Sequence, residues 1–109
     1  MYLRQLTKEK EKTLLDGFYI NFIETENLTV AHVRIDKGGI LPEHSHPHEQ
    51  VTTLIAGQLE MTIGGETYTM NPGDAVVIPS DVKHSGVALT DCAVIDVFNP
   101  PRTDFNDLS

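Results

Sequence analysis

Three histidines and one glutamine stand where a small β-structure can aim four metal-ligand side chains at one point: His44 and His46 in GILPEHSHP, Gln50 in EQVTTLIAG, and His84 at the head of HSGVAL. Residues i and i+2 of an extended strand face the same side, so the imidazoles of His44 and His46 point one way. Pro47 interrupts that strand and the chain turns through His48 and Glu49. In the next run, period-2 alternation puts Gln50, Thr52 and Leu54 on one face. His84 follows much later, just after a turn. Three imidazole nitrogens and an amide oxygen suit one divalent transition metal, and an octahedral ion keeps two positions for substrate or water. Mn, Fe, Co, Ni, Cu and Zn all accept such ligands, so the spacing does not name the metal. The neutral donors leave the full +2 charge on the ion, which favours an anionic substrate. They supply no base, because a glutamine takes up no proton at working pH.

A lone histidine on a strand is more often a satisfied polar residue than a ligand, and it is the four together that point to a metal. His46 and His48 form a second His-x-His pair, but Pro47 and the turn should break the strand between them. Glu49 faces away from Gln50 and reads as a surface carboxylate, while His32, in LTVAHVRI, has no partner at ligand spacing and reads as structural. A base must therefore come from elsewhere. Asp96 is the only charge in the apolar strand CAVIDVF, and by the i, i+2 rule it shares a face with Phe98. Arg102 follows Asn99-Pro100-Pro101, a stiff segment able to carry the guanidinium over the mouth of a barrel. On spacing alone the alternative, Asp96 as a solvent-facing edge charge and Arg102 as a surface residue of the tail, stands slightly ahead.

The elements that must position these residues are strands. FYINFIE (18–24) and LTVAHVRID (28–36) are joined by a polar turn, and QLEMTI and ETYTM flank Gly64-Gly65, a loop that closes a tight hairpin. Met70-Asn71-Pro72-Gly73 has Pro and Gly in the type II turn positions. With AVVIP, HSGVALT and CAVIDVF, this makes about eight to ten strands, an all-β double-stranded β-helix, or jelly roll. Residues 1–16 are polar and rich in lysine and glutamate, and fit an extended arm, a short helix or a strand lent to a partner subunit. At 109 residues the chain can bury one core, so residues 17–109 are expected to form a single domain. Sixteen acidic against eight basic residues give a net charge of -8 with no basic cluster, which argues against nucleic acid and anionic membranes and for a small-molecule partner. Cys92 is the only cysteine, the first residues carry no apolar stretch of signal-peptide length, and no run approaches the ~20 residues of a membrane span. A cytoplasmic protein is expected.

This arrangement resembles the cupin family. The family's first motif reads here from Gly38 through His44, His46 and Gln50 to Gly57, and its second, GDAVVIPSDVKH, from Gly73 through Pro79 to His84. Asp81 replaces the second motif's inner glycine and Ala88 its trailing asparagine, and neither departure touches a ligand. Gln50 stands where many cupins carry glutamate. The resemblance covers roughly residues 28–98 and implies the cupin barrel.

More closely, HSHPHEQ, GGETYTMNPGD and DVFNPPR resemble the KdgF-type, or pectin degradation protein, cupins. That likeness implies conversion of 4,5-unsaturated monouronates, the products of pectin and alginate lyases, to the open-chain 5-keto-4-deoxyuronate. It implies metal ligands at His44, His46, Gln50 and His84, and catalytic residues at Asp96, Phe98 and Arg102. The expected partner is a small anionic sugar acid, and the family together with the unassigned arm suggests a homodimer. Two rival readings are a metal-dependent cupin dioxygenase and a non-catalytic module that binds a sugar acid or metal. Gln in place of Glu counts against the first, and the lack of an attached DNA-binding segment against a regulator.

Overall fold

Alternating burial runs through the chain as the period-2 pattern requires: Thr29, Ala31, Val33 and Ile35 are buried in one strand, and Gln50, Thr52 and Leu54 in another. The computed structural model describes residues 2–109. Its strands are β1 Lys12–Leu15, β2 Phe18–Glu24, β3 Thr29–Ile35, β4 Ile40–His44, β5 Glu49–Ala56, β6 Leu59–Ile63, β7 Glu66–Met70, β8 Ala75–Ile78, β9 His84–Ala88 and β10 Cys92–Asn99. Short 3₁₀ turns at Leu6–Lys8 and Thr103–Asp107 complete it, and no helix among the described residues is long and apolar enough to cross a membrane. All pairings are antiparallel. One sheet has the order β1-β2-β3-β10-β5-β8 and the other β4-β9-β6-β7, and residues of both contribute to one apolar core, as a jelly roll requires.

The polar N-terminal stretch contributes two elements. Leu6–Lys8 packs on β2 and β3, and Lys12–Leu15 adds a strand to its own chain's sheet beside β2. The Thr13 N–H donates to the carbonyl of Ser109 at 3.0 Å, so β1 is tied to the segment that follows the 3₁₀ turn at Thr103–Asp107.

Two tight places need glycine. Gly64 and Gly65, at φ +57° and +85°, make the two-residue loop between β6 and β7, where a primed turn matches the twist of the strands. Gly57, at φ +90°, ends β5's connection so close to the next loop that a Cβ would collide with the Asp91 carbonyl oxygen.

Strand register sorts the inner face of the larger sheet into rows. Val33, Val94 and Leu54 lie side by side in the apolar core, then Ala31, Asp96 and Thr52, then Thr29, Phe98 and Gln50. Polar side chains therefore gather at one end of the barrel interior.

Candidate metal centre and cleft

The first metal-binding strand is shorter than expected. β4 ends at His44, which pairs directly with His84 of β9, and His46 lies beyond the last paired residue, just before Pro47. Its place is fixed from the other motif. The Asp81 N–H donates to the His46 carbonyl at 2.9 Å, and the Ser80 hydroxyl donates to the Pro47 carbonyl. Asp81 holds φ +66°, a left-handed conformation that Asp tolerates better than most side chains.

The result is a cluster in which one nitrogen from each of His44, His46 and His84 lies within 4.8 Å of the others. Each ring is set by its other nitrogen: Nδ1 of His44 donates to the Pro42 carbonyl (2.8 Å), of His46 to the His48 carbonyl (3.0 Å) and of His84 to the Val82 carbonyl (2.9 Å). Carbonyls only accept, so all three Nδ1 atoms carry the proton and all three Nε2 atoms present lone pairs inward. His84 Nε2 is buried without any partner. Burial holds His46 and His84 below the usual imidazole range, with the Arg102 charge adding to the effect at His46, so both stay neutral and able to ligate. An inward-facing buried lone pair among two more is what a cation site needs, and the donors fit a divalent transition metal.

Gln50, buried on β5, fits as a fourth ligand. Its Oε1 lies 3.0 Å from His46 Nε2, close to the ~3 Å separation of two donors at right angles around an ion with bonds of ~2.1 Å. Its Nε2 donates to Thr52 Oγ1 at 2.8 Å, and the Thr52 hydroxyl donates to Asp96 Oδ1 at 2.6 Å. Asp96 thus faces the barrel interior and not solvent. Burial pushes its pKa up to about 6, while the hydrogen bonds from Thr52 and Gln50 and the Arg102 charge act to lower it.

Arg102 closes the same space. Its backbone N–H donates to Thr29 Oγ1 at 2.8 Å, and its guanidinium lies 4.9 Å from the Phe98 ring centre and 4.3 Å from that of Phe105. Asp104 grips one edge of the fork, taking Nε at 3.0 Å and Nη2 at 2.9 Å, which leaves the Nη1 side for another acceptor. Phe98 is buried and sits edge-on to His46, with ring centres 5.9 Å apart. His44, Gln50, Asp96, Phe98 and Arg102 line one cavity of about 300 Å³, and Leu14 and Leu15 of β1 form part of its wall. That volume is at the small end for ligand pockets.

The remaining candidates lie apart. His48 stands beyond His46, its ring 5.3 Å from that of His46 and its Nδ1 buried without a partner. Glu49 is exposed, and His32 lies on the outer face of β3, opposite Ile95. Sequence reasoning gave no role to Thr52, Asp104 or β1. Thr52 carried a faint signal, since it shares a strand face with Gln50.

A jelly roll that carries two of its histidines on the paired strands β4 and β9 and the third in the loop between β4 and β5 defines a class. The chain belongs to the cupin family, whose domain profile matches residues 31–98. It is similar to the pectin degradation protein KdgF of Dickeya dadantii (strain 3937), with 35% identity over 83 residues, 74% of this chain and 76% of that protein. Among solved structures, KdgF from a Halomonas species matches with a TM-score of 0.85 at 31% identity, covering 91% of this chain and 93% of that one. An RmlC-like cupin from Shewanella frigidimarina NCIMB 400 matches at TM-score 0.90 over 96% of each chain, and at 24% identity that likeness speaks for the fold alone.

Proposed function

We propose that this protein converts 4,5-unsaturated monouronates, the monomers released by pectin and alginate lyases, to the linear 5-keto-4-deoxyuronate, with a divalent metal held by His44, His46, Gln50 and His84. The observation that carries the reading is convergence: an inward-facing carboxyl, an aromatic-backed guanidinium and two of the neutral metal donors, His44 and Gln50, line one small cavity beside the other two histidines. The similarity to a pectin degradation protein supports a substrate derived from pectin.

The chemistry asks for one proton to move and nothing to be oxidised. In the unsaturated ring, O5 joins C1, which bears a hydroxyl, to C5 of the C4=C5 double bond. Removing the O1 proton turns C1–O1 into a carbonyl as the C1–O5 bond breaks, leaving O5 on C5 as an enolate. A proton delivered to C4 completes the 5-keto product. Asp96 takes the first proton as a carboxylate and returns one as the acid, which a group titrating near pH 6 does readily. Arg102 offers the free side of its fork to the C6 carboxylate, and Phe98 gives the sugar an apolar wall. A bound divalent ion supplies Lewis-acid stabilisation for the oxygen that becomes anionic.

The protein acts in the cytoplasm as a homodimer. In support of the dimer, strand register lines up Ile23, Val30, Val97, Val51 and Val77 in one row on the outside of five adjacent strands, ~19 Å of uncharged apolar sheet. The reaction is tested by proton NMR of lyase-generated monomers with metal-loaded protein. The open-chain ketone should appear without oxygen uptake. Oxygen consumption coupled to turnover would favour a dioxygenase instead.

A further inference from the structure

The two ends of a glutamine amide have nearly the same shape, so packing alone does not decide which one meets a metal. We infer that Thr52 makes that choice, as a positioning residue that points Gln50 Oε1 at the histidine cluster through the single proton of its hydroxyl. The inference rests on the reading of Gln50 as the fourth ligand.

A hydroxyl has one donor and two acceptor positions. Thr52 sits directly opposite Asp96 in the β5–β10 pairing and two residues beyond Gln50 on the same face. Its Oγ1 donates to Asp96 Oδ1 at 2.6 Å, so the single hydroxyl proton is committed there. Toward Gln50, 2.8 Å away, Thr52 then shows only a lone pair, and the amide must answer with its N–H. The oxygen is left 3.0 Å from His46 Nε2, where a ligand belongs. The reverse rotamer would set two acceptors against each other and put N–H donors where a cation binds. Thr52 is 3% exposed, so water is poorly placed to substitute for its hydroxyl. A carboxylate on β10 thereby fixes, through one threonine on β5, the orientation of a ligand two residues away.

The test is Co²⁺ affinity of the metal-stripped full-length protein by calorimetry, which requires no turnover. Thr52→Val should weaken Co²⁺ binding about ten- to a hundredfold, the usual effect of losing a group that orients a ligand. Thr52→Ser should stay within about threefold of the original. Thr52→Ala, compared with Thr52→Ser, isolates the hydroxyl when both lack the methyl, and keeps the test decisive should the valine variant fold poorly. In a Gln50→Ala background, which should itself bind Co²⁺ more weakly, Thr52→Val should cause no further loss. Unchanged affinity in Thr52→Val, equal affinity in the Ser and Ala variants, or the same loss with and without Gln50 each overturns the inference. Unchanged affinity in Gln50→Ala removes the ligand reading and the inference with it.

Discussion

Asp96 is pulled in two directions, lifted to about pH 6 by burial and held down by its hydrogen bonds and by Arg102. Acting first as a base, it must be ionised in the free enzyme, so kcat/KM should rise with pH along a limb at or below about 6, since a bound cation lowers the pKa further. Asp96→Asn should abolish that limb and lower turnover by about two orders of magnitude or more, with the metal retained. The stability sign is also fixed. The folded state keeps a proton that the unfolded chain releases near the ordinary value of 3.8, so this group's contribution to stability falls as pH rises from about 4 to about 6. Asp96→Asn should therefore melt no lower than the parent at pH 7.5, and a large drop would mean that the carboxyl is structural. Arg102→Lys keeps the charge but loses the planar fork, so KM for a uronate should rise about tenfold or more with little change in kcat. An unchanged KM would take Arg102 off the substrate. His44, His46 and Gln50 were legible because strand alternation acts over a few residues, and His84 because a second motif carries it. The fate of Asp96 and Arg102 was not legible from spacing, and only the family likeness pointed to them. Which way a lone charge on a strand faces depends on the neighbouring Thr52 and Ala31, brought beside it by pairings with distant strands.

Most strands could be read because turn residues punctuate the chain and apolar residues alternate between them. The hairpin at Gly64-Gly65 and the turn through Pro72-Gly73 fall where their backbone chemistry demands, and the Asp74 N–H donates to the Asn71 carbonyl at 2.9 Å across the latter. The sequence alone does not place β1 in the chain's own sheet, because four residues, Lys12–Leu15, are too few to show a period. Yet Leu14 and Leu15 wall the cavity, so the polar N-terminal stretch helps enclose the site. β4 stops at His44 because the segment that follows is held by loop contacts to Ser80 and Asp81 in place of ladder hydrogen bonds. Gly57 is where one connection tolerates least. Gly57→Ala combines an unfavourable φ of +90° with a collision against the Asp91 carbonyl, and should cost at least about 1–2 kcal/mol. The melting temperature should then fall by ~4 °C or more, and an unshifted melting curve would show that the loop yields freely.

To take the proposed anionic substrate, a chain with a net charge of -8 needs a local cation, and among the described residues Arg102 is the one formal cation lining the cavity. The neutral ligand set matters for the same reason, since it leaves the full charge of a bound ion to act on the substrate. Outside the barrel, the apolar row through Val97 is legible only after the strands are ordered, because its five members come from five separate strands. Val97→Glu places a charge at its centre. Light scattering should give a mass near twice the 12.1 kDa chain for the parent and near one chain for the variant, and equal masses would place any interface elsewhere. The most direct test of the central claim follows the ultraviolet absorbance of unsaturated monouronates, freshly released by a pectate or alginate lyase, after addition of the protein. Absorbance should fall with metal-loaded protein, stop falling when a chelator strips the metal, and resume when a divalent ion is restored. Undiminished absorbance with fully metal-loaded, folded protein, or an equal rate in the stripped protein, would contradict it.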